Sequence, residues 1–163
     1  MNTRAEIIRI ASFWGSYHLR INMPVCIRVA SGETEIKRCC PVLMQLRPHL
    51  EAIAMVDQIL RQQAAGYMLA YCEAEQVIRA VAGYRYGENL AYGKYMYVDD
   101  LVTNADDRSK GFGKLLFEWL VAAARNKGCE VLCLDSGVQR FDAHRFYLTN
   151  RMNIVFSSFP FAP

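Results

Sequence analysis

The sequence has no cysteine pair at Cys-x-x-Cys spacing, so a zinc ribbon or a thioredoxin-type dithiol is unsupported. Its six cysteines (Cys26, Cys39, Cys40, Cys72, Cys129 and Cys133) read as reduced core thiols, because free Cys behaves as a small hydrophobe. Excess charge is also small. The 19 basic and 16 acidic residues leave +3, which argues against a nucleic-acid partner. No apolar run approaches the roughly 18 residues of a membrane span, so no membrane partner is expected. His18, His49 and His144 are too scattered for a metal site, and no metal is expected. Glycine and proline number only 10 and 5, which excludes collagen-like and low-complexity chains. No secretory signal is expected either. Arg4 precedes Ile7, Ile8 and Ile10, but Glu6 and Arg9 interrupt the run and no small-x-small cleavage site follows clearly. The expected location is cytoplasmic, where thiols stay reduced.

What is present is a globular composition. A chain of 163 residues, 53% apolar, fits one domain and buries about 68–70% of its unfolded surface without staples. Residues 23–163 are taken as that domain. Residues 1–22 have an ambiguous pattern and are taken as an N-terminal extension, either an accessory helix or a stretch upstream of a natural start at Met23.

Val25, Ile27 and Val29 alternate with Cys26 and Arg28 and predict a strand. Ser31 is expected to cap a helix with apolar positions Ile36, Cys40, Leu43 and Leu46, broken at Pro48. A second helix is expected through Leu50, Ile53, Val56 and Leu60, with Gly66 as its stop. Runs 67–73, 77–86 and 95–102 are rich in β-branched and aromatic residues and predict an antiparallel meander. A strong helix follows, with Leu116, Leu120 and Ala123 as its stripe, Phe112, Leu115 and Trp119 beside it, and Gly128 after it. Residues 129–135 read as a strand covered on both faces, 141–150 as a short helix, and 154–159 as a last strand. The order β-α-α-β-β-β-α-β-α-β, with a parallel crossover between residues 95 and 135, predicts a mixed sheet of α/β (α+β) class.

One segment carries chemistry. The strand ending Asp99-Asp100-Leu101-Val102-Thr103 is followed by Arg108-Ser109-Lys110-Gly111-Phe112-Gly113-Lys114, which opens directly into the strong helix. First-turn N–H groups have no intrahelical partner and lie at the positive end of the macrodipole, so a helix start of this kind receives phosphate. Gly111 and Gly113 remove side chains where a phosphate must touch backbone, while Arg108 and Lys110 add positive charge. A dinucleotide fingerprint wants a third glycine where Leu116 stands. A P-loop wants glycine where Arg108 stands.

The remaining match, Arg-x-x-Gly-x-Gly at Arg108–Gly113, resembles the pyrophosphate loop of the GNAT superfamily of acyl-CoA-dependent N-acyltransferases. A second signature in the correct order, Ala143-His144-Arg145-Phe146-Tyr147, resembles that family's Ala-x-x-Phe-Tyr helix. The resemblance extends from about Val25 to Phe159. It implies a three-layer fold with a mostly antiparallel mixed sheet and a V-shaped splay between strands 4 and 5.

The same resemblance implies acetyl-CoA as cosubstrate and a primary amine, on a small molecule or a peptide, as acceptor. Pantetheine would pair with the backbone of Leu101, Val102 and Thr103, as an added strand pairs with a sheet edge. The pyrophosphate would lie on N–H groups of Ser109, Lys110, Gly111, Phe112, Gly113 and Lys114, beside Arg108. Ser109 stands where the family often has glycine, and a serine is tolerated there if its φ stays negative. Tyr147 matches the family's general acid, with orienting or packing as its other use. The base is Asp100, Asp99 or a water chain. Strand alternation places at most one of the two carboxylates toward the acceptor. Arg140 replaces a family asparagine and is a candidate cofactor or acceptor contact. His144 lies one helical turn before Tyr147.

Tyr84, Tyr86, Tyr92, Tyr95 and Tyr97 are expected to fill sheet faces, line an acceptor pocket or form a homodimer seam, and the apolar tail Phe156, Phe159 and Phe161 to pack under the last strand or in a partner. Direct acetyl transfer is expected over a cysteine ping-pong route. The alternatives are a non-catalytic acyl-CoA sensor and an acetyltransferase directed at protein or tRNA.

Overall fold

The computed structural model describes residues 24–155, which fall into two compact units divided after Cys133. His18, residues 1–22 and Phe156, Phe159 and Phe161 lie outside the described residues. In the first unit the elements are β1 (Val25–Val29), α1 (Glu33–Leu43), α2 (Ala52–Ala64), β2 (Tyr67–Ala74), β3 (Val77–Asn89), β4 (Gly93–Thr103) and α3 (Phe112–Asn126). β5 (Val131–Leu134) crosses the division, and α4 (Phe141–Thr149) lies in the second unit. The sheet order is β1-β2-β3-β4-β5. The first four strands pair antiparallel. β5 runs parallel to β4, so the sheet is mixed, as the sequence pattern predicts. Ile154 and Val155, expected to open a last strand, carry no strand; the rest of that segment is outside the described residues.

Strand alternation builds two cores. Tyr67, Leu69 and Tyr71 of β2, Val81 of β3 and Val102 of β4 join Ile36, Cys39 and Leu43 of α1 and Met55, Val56 and Ile59 of α2. Ala80, Ala82 and Tyr84 point to the opposite face, where Tyr84 meets Trp119 of α3 edge-to-face at 6.1 Å. Alanine at positions 70, 80 and 82 keeps that face low, so α3 lies close to the strands.

Several local expectations are corrected. Gly32, not Ser31, is the N-cap of α1. The Glu35 carboxylate reaches back and accepts from the Ser31 N–H (2.8 Å) and hydroxyl (3.1 Å), and also from the Tyr71 hydroxyl (2.7 Å). α1 stops at Leu43, soon after Pro41, and Leu46 packs from the connection that follows. In α2 the buried stripe is Met55, Val56 and Ile59, while Ile53 is 81% exposed. The stretch 87–93 is mostly strand, because Asn89 pairs with Gly93 and only residues 90–92 turn. β5 is half-buried throughout rather than covered on both faces. Cys129 stands before it and not in it.

The β2–β3 hairpin turns on Glu75 (φ 53°) and Gln76 (φ 63°), the two left-handed positions of a type I′ turn, with no glycine at either. A left-handed non-glycine residue stores strain of order 1 kcal/mol. Gln76→Gly should therefore stabilise the protein by about 0.5–1 kcal/mol, read as a higher urea midpoint at unchanged slope.

Candidate active site

The β4–α3 connection is built around one buried carboxylate. Asp107 is 1% exposed and accepts from Arg79 of β3 through both oxygens (3.0 and 3.1 Å) and from Lys110 Nζ (2.9 Å). Burial would push its carboxyl up, but the Lys110 and Arg79 bonds outweigh that and hold it below the usual value of 3.8. Removing one partner of such a buried pair costs about 3–5 kcal/mol. The Arg79 guanidinium also covers the Phe112 ring at 5.8 Å, so one strand cation holds both the loop and the start of α3.

Above this anchor, Arg108, Ser109 and Lys110 are exposed, Gly111 is half-buried, and α3 begins at Phe112. Gly111 is the N-cap at φ 100°, a conformation L side chains rarely adopt. A Cβ on Gly113 would lie 2.5 Å from Thr103 Oγ1, so glycine lets the first turn of α3 approach the end of β4 with the Thr103 hydroxyl in place. The N–H groups of Phe112 and Gly113, at the first two positions of α3, have no acceptor within their own helix. Phe112 offers only backbone to a ligand, since its ring is buried. Ser109 has φ 61°, so the condition under which a side chain is tolerated there is not met. The positive charge that Lys110 adds is engaged by Asp107.

β4 holds the second part. Gly83 pairs with Asp100 and Tyr84 with Val98, so Asp99 is an extra residue on β4. Such a bulge bends the strand and re-aims side chains. Simple alternation would send Asp99 and Asp100 to opposite faces, yet both line one cavity of about 350 Å³ with Leu43, Arg47, His49, Leu50, Met55, Gln58, Ile59, Gln62 and Tyr67. The tyrosine in this wall is Tyr67, rather than Tyr84, Tyr86, Tyr92, Tyr95 or Tyr97. Arg85 grips Asp99 with two bonds, 2.9 and 3.0 Å. Arg47 Nε donates to Asp100 Oδ1 at 2.8 Å, and the Tyr67 hydroxyl donates to Asp100 Oδ2 at 3.1 Å.

Tyr67 belongs to β2 and reaches Asp100 by passing over β3. The strand between them carries Gly83 at that point, and a Cβ there would fall inside the Tyr67 hydroxyl. Burial, and then the charge of Asp100, push the Tyr67 phenol well above its ordinary value, so it stays a donor. β5 and the residue before it bond β4 at the other end, through Cys133 Sγ to Met96 O (3.7 Å) and the Glu130 N–H to Lys94 O (2.7 Å), while β4 runs on to Leu101, Val102 and Thr103.

Nucleophilic sulfur finds little support. Burial pushes the Cys39 and Cys72 thiols up to about 12, far from thiolate at neutral pH. Among the described residues no group of three or more His, Cys, Asp or Glu is placed to hold a metal ion, and no helix is long and apolar enough to cross a membrane.

In the second unit, Tyr147 sits half-buried on α4, with its ring edge-to-face to Phe146 at 5.6 Å. Burial raises its phenol above 10, opposed by the charge of Arg140. Arg140 is the exposed N-cap of α4, and its carbonyl accepts from the N–H of His144 at 3.0 Å.

Over residues 34–151 the chain matches the model of the Acetyltransferase (GNAT) family. It is similar to the uncharacterized N-acetyltransferase YhdJ of Bacillus subtilis (strain 168), with 35% identity over 122 residues, 74% of this chain and 85% of that one. Among solved structures it is similar to aminoglycoside N-acetyltransferase AAC(6')-Iy in complex with CoA (TM-score 0.78, 14% identity, 88% of this chain and 97% of that one). It is also similar to ribosomal-protein-alanine N-acetyltransferase from Brucella melitensis biovar Abortus 2308 (TM-score 0.72, 16% identity, 85% of this chain and 98% of that one). At these identities the two structures share its fold.

Gly83→Ala should expel the Tyr67 ring from its notch and lower stability by about 1–3 kcal/mol, as overpacking does. The double variant Gly83→Ala/Tyr67→Phe, which lacks the hydroxyl in conflict, should recover part of that loss in thermal unfolding. Ser109→Gly should relieve the left-handed position by about 1 kcal/mol.

Proposed function

Because the chain belongs to the acetyltransferase (GNAT) family, we propose that it moves an acetyl group from acetyl-CoA directly to the primary amine of an acceptor held in the same complex. The observation that carries this reading is the start of α3, reached directly from the exposed Arg108, Ser109 and Lys110 and cleared by Gly111 and Gly113 at the end of β4. The fit to a diphosphate is good. The first-turn N–H groups of Phe112 and Gly113 supply donors, the dipole of α3 favours negative charge, and Arg108 lies alongside. Ser109, Lys110, Gly111 and Lys114 complete the cradle. The backbone of Leu101, Val102 and Thr103, on the part of β4 beyond Met96, is the edge for the pantetheine amides.

Acetyl-CoA supplies a thioester, and the C–N bond to the amine forms as the C–S bond breaks. Three demands remain for the protein. An amine that arrives as ammonium must lose a proton, and Asp100, directly or through water, is the acceptor on the cavity wall. Charge on the acyl oxygen needs a donor, for which the N–H of Leu101 or a neighbour is placed on β4. The departing sulfur needs a proton, which we assign to the phenol of Tyr147, and the second proton that the nitrogen sheds on becoming an amide restores that phenol. The buried thiols Cys39 and Cys72 support a direct route without an acyl-cysteine. One family model spans both compact units, which supports residues 23–163 as one acetyltransferase domain with 1–22 as an extension. Six free cysteines support a reducing, cytoplasmic setting.

Two measurements test the reading. Calorimetric titration with acetyl-CoA should show Gly113→Val losing about tenfold or more in affinity, whereas Lys110→Ala loses several-fold at most. Equal losses would deny the backbone cradle. In a thiol-release assay, Tyr147→Phe should lower kcat by about tenfold or more with little change in acetyl-CoA affinity. Because the Tyr147 phenol is raised, its proton-bearing form persists past pH 10 and is lost only as pH climbs through the raised value. The alkaline fall of kcat should therefore lie above pH 10, and a fall near neutrality that Tyr147→Phe abolishes would contradict the assignment.

A further inference from the structure

The cavity beside β4 is lined by side chains of different chemistry, the apolar Leu43, Leu50, Met55 and Ile59 and the charged pair Arg47 and Asp100 among them. The two Arg–Asp pairs there are unequal. Arg85 and Asp99 meet as a two-bond fork between strands. Arg47 meets Asp100 through Nε alone, and its second bond, from Nη2, goes to the backbone oxygen of Asp99 at 3.1 Å. Arg47 comes from the connection between α1 and α2, and its side chain is 43% exposed against 15% for Asp100. Guanidinium carries five N–H donors, and these two bonds use two of them. A half-exposed cation on a connecting segment, singly bonded to a carboxylate on a cavity wall, is a pair that an incoming anion can exchange.

We infer that the acceptor is an amine bearing a carboxylate close to its nitrogen, an amino-acid-like zwitterion, whose carboxylate is bound by Arg47 and whose ammonium is received by Asp100. The inference rests on the acyl-transfer reading above and gives that site its substrate class. A substrate carboxylate replaces one carboxylate on Arg47 by another, so the exchange keeps the number of ion pairs. It leaves Asp100 held by the Tyr67 hydroxyl and open to the ammonium. An amine without the anion has no such exchange to offer. It must approach Asp100 while Arg47 still sits there, as a like charge beside an already paired carboxylate. The apolar residues of the lining are suited to an aliphatic or thioether side chain.

The test uses matched pairs that differ only in the carboxylate: L-leucine against 3-methylbutylamine, and L-methionine against 3-(methylthio)propylamine. Thiol release from acetyl-CoA by the full chain gives kcat/KM for each. The carboxylated partner should be favoured about tenfold or more. Arg47→Gln should erase the preference by raising KM for the carboxylated amine while leaving KM for the plain amine equal or lower, and Arg47→Lys should fall between, since it keeps charge without the fork. Equal or better use of the plain amines by the wild type, or a preference that survives Arg47→Gln in protein with a cooperative thermal transition, overturns the inference. So does a lack of response to both amino acids in turnover and in the melting temperature of the CoA complex. Failure of the wild type to bind acetyl-CoA at all overturns the acyl-transfer reading instead.

Discussion

One additional residue in β4 sets the geometry on which the site depends. Without Asp99 as a bulge, the pleat would send neighbouring carboxylates to opposite faces. With it, Asp99 and Asp100 share a cavity wall, and each acquires its own cation. The sheet accommodates the irregularity because β3 carries Gly83 opposite it, which opens a passage for the Tyr67 side chain from β2. Three strands thus converge on one carboxylate, and the α1–α2 connection adds Arg47 to it.

A comparable economy holds the other half of the site. The segment between β4 and α3 is short and exposed, yet its backbone is pinned from below by Asp107, with Arg79 answering from β3. Left-handed Ser109 and Gly111 are kept in place by that anchor and by the close passage of Gly113 over Thr103. The α1–α2 connection reaches the same region. Gln45 donates to the Asn104 side chain (3.1 Å) and accepts from the Ala105 N–H (2.8 Å), while Arg47 two residues on meets Asp100. One connecting segment therefore touches both the carboxylate wall and the approach to the anion cradle.

Much of this was legible in the sequence. Strands with alternating or aromatic runs, and a long helix opened by a glycine pair, were placed to within a few residues, because local pattern and tertiary burial agree there. The family signatures at Arg108–Gly113 and Ala143–Tyr147 are local too, and so were visible. What escaped was whatever depends on register between distant strands. Nothing near Tyr67, Gly83 or Arg85 in the chain announces that they meet Asp99 and Asp100. A bulge is a pairing event, which a single strand does not display. Arg47 gave one hint, since Pro48 after it disfavours helix, but its partner lies on β4. The misplaced stripe of α2 has a similar origin. Ile53 and Leu60 satisfy helical spacing, yet which arc of a helix faces the sheet is decided by the sheet.

The notch at Gly83 has an evolutionary corollary. A methyl group arriving there first meets a phenol already in its place, and a lineage can accept it only after position 67 has shed its hydroxyl or its ring. Among descendants of this fold that keep Asp100, a side chain at 83 and a tyrosine at 67 should be mutually exclusive, which is a pattern that divergence itself records.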